Sequence, residues 1–126
     1  MLQVRDIHHV SLIVESTSRS LAFYCDLLGL SQDHSRPDLG YPGAWVHLGN
    51  KQLHLLELPN PDPVNGRPEH GGRDRHVAMS VNDIQQLADL LSQQNLPYSL
   101  SKSGRKALFC RDPDGNALEF IETPPT

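Results

Sequence analysis

Residues 7–14 read IHHVSLIV, an apolar run rich in β-branched side chains, and this pattern predicts a buried strand. Ser16-Thr17-Ser18 offers good N-cap types, and Leu21, Tyr24, Leu27 and Leu28 then recur at helical spacing. Gly29 stands where a left-handed residue closes such a helix. Beyond it the pattern predicts a short strand within 30–35, a proline- and glycine-bearing loop over 36–43 and a strand over 44–48. Gly49-Asn50 reads as a tight turn and 52–58 as a further strand. The order is β-α-β-β-β.

Residues 59–74 carry four prolines and three glycines with almost no large apolar side chain, and read as an extended linker. The order then recurs. HVAMSV from His76 is a strand, and Asn82 or Asp83 caps a helix with Ile84, Leu87, Ala88 and Leu91 on its apolar face. Pro97 is expected to stop that helix. Strands are predicted at 98–101, 107–111 and 117–122, with turns at Ser103-Gly104 and Asp112-Pro113-Asp114-Gly115. The reading is one α+β domain over 1–126, with module one at about 5–58, the linker at 59–74 and module two at about 75–122.

The repeat has side-chain detail. His9-Val10-x-Leu12-x-Val14 matches His76-Val77-x-Met79-x-Val81, 67 positions later. QLHLLE from Gln52 matches ALEFIE from Ala117, which puts Glu119 65 positions after His54. Strand side chains alternate between faces. His9 and His76 therefore sit opposite the apolar triplets Val10-Leu12-Val14 and Val77-Met79-Val81. A carboxylate beside Ile121 needs a partner if buried, and a metal ion supplies one.

One histidine on a strand is ordinary, and His8, His34, His47 and His70 are read so. His8 is placed opposite His9, and His47 shares a face with Trp45. Repetition singles out His9, His54, His76 and Glu119 as metal ligands. Three imidazoles and a carboxylate suit one divalent transition ion, Zn, Ni, Co, Mn or Fe(II), rather than calcium or magnesium. Cys25, Cys110 and Met79 read as core filling. Arg73, Arg75 and Arg111 read as solvated charges, with gripping an anionic substrate as the alternative.

Composition narrows the classes. The 126 residues carry a net charge of -4, and no basic stripe points to nucleic acid. Mean hydropathy is -0.44, and no apolar run approaches the ~20 residues of a spanning helix. The first residues lack the layout of a signal peptide, and two distant cysteines form no framework, so a cytoplasmic setting is expected.

At these residues the chain resembles the vicinal oxygen chelate superfamily of glyoxalase I, bleomycin- and fosfomycin-resistance proteins, extradiol dioxygenases and methylmalonyl-CoA epimerase. The resemblance is carried by His9-Val10-Ser11-Leu12, Leu21-Ala22-Phe23-Tyr24, Leu28-Gly29-Leu30, His54-Leu55-Leu56-Glu57, Arg75-His76-Val77-Ala78 and Arg111-Asp112-Pro113-Asp114-Gly115-Asn116 before Leu118-Glu119. It implies paired βαβββ modules forming a cupped mixed sheet, with ligands on the first and last strand of each module. It also implies a homodimer whose sites take half from each subunit.

Bacterial glyoxalase I-like enzymes carry glutamate where His54 stands, so only Glu119 remains here as a metal-bound carboxylate. His9, His76 and Glu119 alone match the 2-His-1-carboxylate set of the dioxygenases. His54 then either binds the ion or acts beside it as acid or base. The expected function is a glyoxalase I-like lyase or isomerase that stabilises an enediolate of a small oxygenated substrate, with Glu119 and His54 catalytic. An Fe(II) dioxygenase and a metal-free, ligand-sequestering protein of bleomycin-resistance type are the alternatives.

Overall fold

The computed structural model describes residues 1–125, which divide into two units at Pro61–Asp62. In the first unit β1 (His9–Val14) leads into α1 (Thr17–Leu21), which continues as a π-helical turn over Ala22–Leu27. Ser16 caps α1 by accepting from the Arg19 N–H, and Gly29 takes φ +81 as its place at the helix end requires. β2 (Gln32–Asp33), β3 (Gly43–Leu48) and β4 (Lys51–Glu57) complete a four-stranded sheet in the order β1-β4-β3-β2, with β1 and β4 parallel. Its core is Val14, Phe23, Tyr24, Ala44, Val46, Leu53 and Leu55, all buried.

The second unit repeats the order. β5 (His76–Val81) precedes α2 (Ile84–Gln93), followed by β6 (Tyr98–Leu100), β7 (Ala107–Arg111) and β8 (Ala117–Glu122). The sheet order β5-β8-β7-β6, with β5 and β8 parallel, reproduces that of the first unit. Met79, Leu87, Ala88, Leu91, Leu108, Leu118 and Phe120 form its core. Both modules also close their helix in the same way. The Glu57 carboxylate accepts from the Thr17 N–H at 2.8 Å, and Glu122 accepts from the Ile84 N–H at 3.1 Å. Each acid thus satisfies an orphan amide at a positive helix end.

The departures from expectation are local. α2 ends before Pro97 is reached, because Asn95 adopts φ +56 and the Leu96 N–H bonds back to Leu91 O. Residues 62–74 are an ordered part of the second unit, ending in a 3-10 turn over Gly71–Arg73. The anchor is Asp74, whose side chain is 7% exposed. It accepts from Arg67 Nη2 and Arg111 Nη1, each at 2.8 Å. Arg111 also donates to the carbonyls of Pro68 and Gly115. It is a structural clamp, not the solvated charge its type suggests. Arg75 does remain exposed, paired with Asp62. Cys110 and Met79 are core residues as read, and burial pushes the Cys110 thiol up to about 12.

Candidate metal and acid–base site

Register carries the site residues. In the first unit Ser11 pairs with His54, His54 with Trp45, and Trp45 with Asp33, so these four share one face of the sheet. His9 lies on the same face, two residues before Ser11. The equivalent row in the second unit is Ala78, Glu119, Phe109 and Ser99, with His76 two residues before Ala78. His54 and Glu119 thus hold corresponding places, as do Trp45 and Phe109.

The structure brings His9 together with His54. The two rings stack at 4.0 Å between centroids with 14° between planes. Trp45 stacks on the other side of His54 at 4.6 Å and 12°. An imidazole binds a metal through a lone pair that lies in the ring plane. Near-parallel planes 4.0 Å apart cannot both direct a lone pair at one ion. His9 approaches His8 instead, Nδ1 to Nδ1 at 2.9 Å, which leaves Nε2 of His9 free. His8 was placed opposite His9 by strand alternation. It reaches its neighbour because β1 begins only at His9, so His8 is not bound by the pleat.

His54 Nε2 lies 2.9 Å from Gln52 Oε1, and Gln52 Nε2 lies 2.7 Å from Asp33 Oδ2. Burial, then the neighbouring His9, lowers the pKa of His54, favouring a neutral ring. The Ser35 hydroxyl and N–H hold the Asp33 carboxyl below the usual range. His47 stands 4.0 Å from Asp33 and lines a surface cleft with Asp6, Lys51 and Gln52.

The second unit brings His76 together with Glu119. His76 Nε2 is 3.1 Å from Glu119 Oε1, and Glu119 is 4% exposed. His76 Nδ1 is 2.9 Å from the carbonyl of Asp74. A carbonyl only accepts, so Nδ1 donates to it, and Nε2 either donates to the carboxylate as N–H or faces it as a lone pair. Two electron-pair donors facing each other call for a proton or a cation between them. That donor pair fits a transition ion, and the Asp74 carbonyl supplies the second hydrogen bond that metal-binding histidines ordinarily make.

Arg105 Nη2 approaches Glu119 Oε2 at 3.3 Å. Sequence reading missed Arg105, which precedes β7 and so lies outside the strand alternation that places Phe109 opposite Glu119. Nearby, a cleft of about 660 Å³ is lined by His70, Arg73, Ser99, Lys102 and Phe109. Among the described residues Arg73 and Lys102 have no ion-pair partner. Within neither unit do three His, Cys, Asp or Glu side chains gather as ion ligands would, among the described residues. Nor is any helix there long and apolar enough to cross a membrane.

Comparison with known proteins agrees with the fold. The chain is 31% identical over 135 residues to the Escherichia coli (strain K12) uncharacterized protein YaeR, covering 97% of this chain and 99% of that one. It is 31% identical over 128 residues to the lactoylglutathione lyase of Haemophilus influenzae, covering 95% and 94%. The crystal structure of a Bacillus anthracis protein of the glyoxalase family superposes with a TM-score of 0.79 at 22% identity, covering 98% of both chains. The family model for the Glyoxalase/Bleomycin resistance protein/Dioxygenase superfamily matches residues 6–120, and the chain belongs to that superfamily.

Proposed function

We propose that the protein is a divalent-metal-dependent lyase or isomerase of glyoxalase I type acting on a small oxygenated substrate. His9, His76 and Glu119 hold the ion, and His54 and Glu119 handle the proton. The observation that carries this reading is the His76–Glu119 pair, in which Nε2 of a ring oriented through Nδ1 stands 3.1 Å from a buried carboxylate. A transition ion held by these groups supplies Lewis-acid stabilisation of negative charge developing on a substrate oxygen.

The chain's own residues do the rest. Asp74 and the register of β5 and β8 orient His76 toward Glu119. Arg105 keeps one carboxylate oxygen of Glu119 engaged. His54 is given the proton-handling role rather than a ligand's because its ring is stacked between His9 and Trp45. Neutral and partly buried, it can take a proton from a carbon next to a carbonyl. The cleft beside Phe109, where Arg73 and Lys102 have no ion-pair partner among the described residues, offers room and positive charge for an anionic substrate.

The resemblance to the Haemophilus lactoylglutathione lyase makes the hemithioacetal of methylglyoxal and glutathione the first substrate to assay. The protein is taken as a homodimer, which light scattering checks. The decisive measurement is calorimetric titration of chelator-treated protein with Zn²⁺ and Ni²⁺, followed by the assay with each metal. One ion per chain and metal-restored turnover are expected. No tight uptake would end the reading.

The three-residue set also suits an Fe(II) dioxygenase, since His54 is stacked away from His9's lone pair. Oxygen consumption with Fe²⁺, and none of the lyase reaction with Ni²⁺, would favour that alternative.

A further inference from the structure

The first unit contains a chain of side chains that the ligand set does not use: Asp33 on β2, and Gln52 and His54 on β4, on one sheet face with β3 between the two strands. We infer that Gln52, locked by Asp33, holds His54 in the Nε2–H tautomer and leaves Nδ1 as the nitrogen presented to substrate. This rests on the proton-handling role given to His54 above.

The argument is one of donors and acceptors. An ionised carboxylate only accepts, so the Gln52 amide must turn its NH₂ to Asp33 Oδ2, 2.7 Å away. Its oxygen then faces His54 Nε2 at 2.9 Å. An amide oxygen also only accepts, so Nε2 must bear the hydrogen. In a neutral imidazole the other nitrogen then holds the lone pair.

The ring cannot escape by tilting, because His9 covers one face and Trp45 the other. Turning over within its own plane would put a carbon against Gln52 and lose the bond. Asp33 is itself fixed by the Ser35 hydroxyl at 2.6 Å and the Ser35 N–H at 2.9 Å. Gln52 and Asp33 are therefore positioning residues.

The two units differ in a purposeful way. In the second, a backbone carbonyl accepts from Nδ1 of His76 and turns Nε2 toward Glu119. In the first, a side-chain relay takes the Nε2 proton of His54 and frees Nδ1. Corresponding sheet faces thus present opposite ring nitrogens.

The test is long-range ¹H–¹⁵N correlation NMR of the imidazoles in metal-free protein at about pH 8, where histidine is neutral. Wild-type His54 should appear as a single Nε2–H tautomer. Gln52→Met should turn it into a mixture of both tautomers. Gln52→Glu should keep it, since a carboxylate at that place still accepts from Nε2. Asp33→Asn should also give a mixture, because an amide facing Gln52 can donate or accept and the lock is lost.

Wild-type His54 protonated on Nδ1, or a tautomer unchanged in Gln52→Met, would overturn the inference. The spectra need no metal. Failure of metal uptake would sink the proposed function, and a wrong tautomer would sink only this assignment.

Discussion

The imidazole of His54 lies flat against that of His9, 4.0 Å between centroids and 14° from parallel. A ring in that position is spoken for: its faces meet His9 and Trp45 and its Nε2 meets Gln52. The two histidines should therefore separate in function. His9→Ala is expected to weaken Zn²⁺ binding by about 100-fold or more, as loss of a direct ligand does. His54→Ala should change it by less than about 3-fold while lowering turnover by about 100-fold, the usual scale of a lost acid–base group. Calorimetry and steady-state kinetics on both variants check this. Equal loss of metal in the two would return His54 to the ligand set.

Asp74 pairs with Arg67 inside residues 62–74 and with Arg111 on β7, which ties the segment to that strand. Those guanidiniums, Arg67 first, hold its carboxyl well below the usual carboxylate range. A depressed folded pKa gives stabilisation that is whole above the unfolded value of about 3.9 and is lost as pH falls toward the folded one. Asp74→Asn should cost about 3 kcal/mol at neutral pH, because two arginines lose their counter-charge. The gap between wild type and variant should narrow as pH drops from about 5 to about 3. Urea midpoints across that range measure it, and a gap independent of pH would contradict the account.

Gly43 opens β3 opposite Leu56. A Cβ at this position would lie 2.3 Å from the Leu55 carbonyl oxygen and 3.0 Å from Arg36 Nη2. Arg36 can swing aside, but the backbone oxygen belongs to the ladder and cannot. Gly43→Ala should destabilise the protein by about 3 kcal/mol, at the upper end for overpacking. Thermal melting checks this against Gly104→Ala, which meets no atom within 4 Å and carries only the cost of its positive φ.

Much of this was legible in the chain. Alternation and β-branching located the strands because both faces of each module's sheet are sharply unlike. The repeat offsets of 67 and 65 reappear as matching register, His9 opposite Gln52 and His76 opposite Ala117. What periodicity could not show was the conduct of polar side chains over distance. Residues 59–74 looked like a linker because their hold on the fold is ionic, through Asp74, and carries no apolar signature. The same is true of Arg105, which reaches Glu119 from a turn. The His9–His54–Trp45 stack was likewise invisible, since nothing in a sequence reports the tilt of a ring.

Glu57 and Glu122 end corresponding strands, and each is committed to the amide at the start of its own module's helix. The two modules thereby share their joinery and differ in their chemistry. A fastener appears twice, while at another pair of equivalent positions an imidazole, His54, answers a carboxylate, Glu119. Either copy of the fastener can serve as an internal standard for the other, so Glu57→Gln and Glu122→Gln report what one helix joint is worth without touching the reactive face.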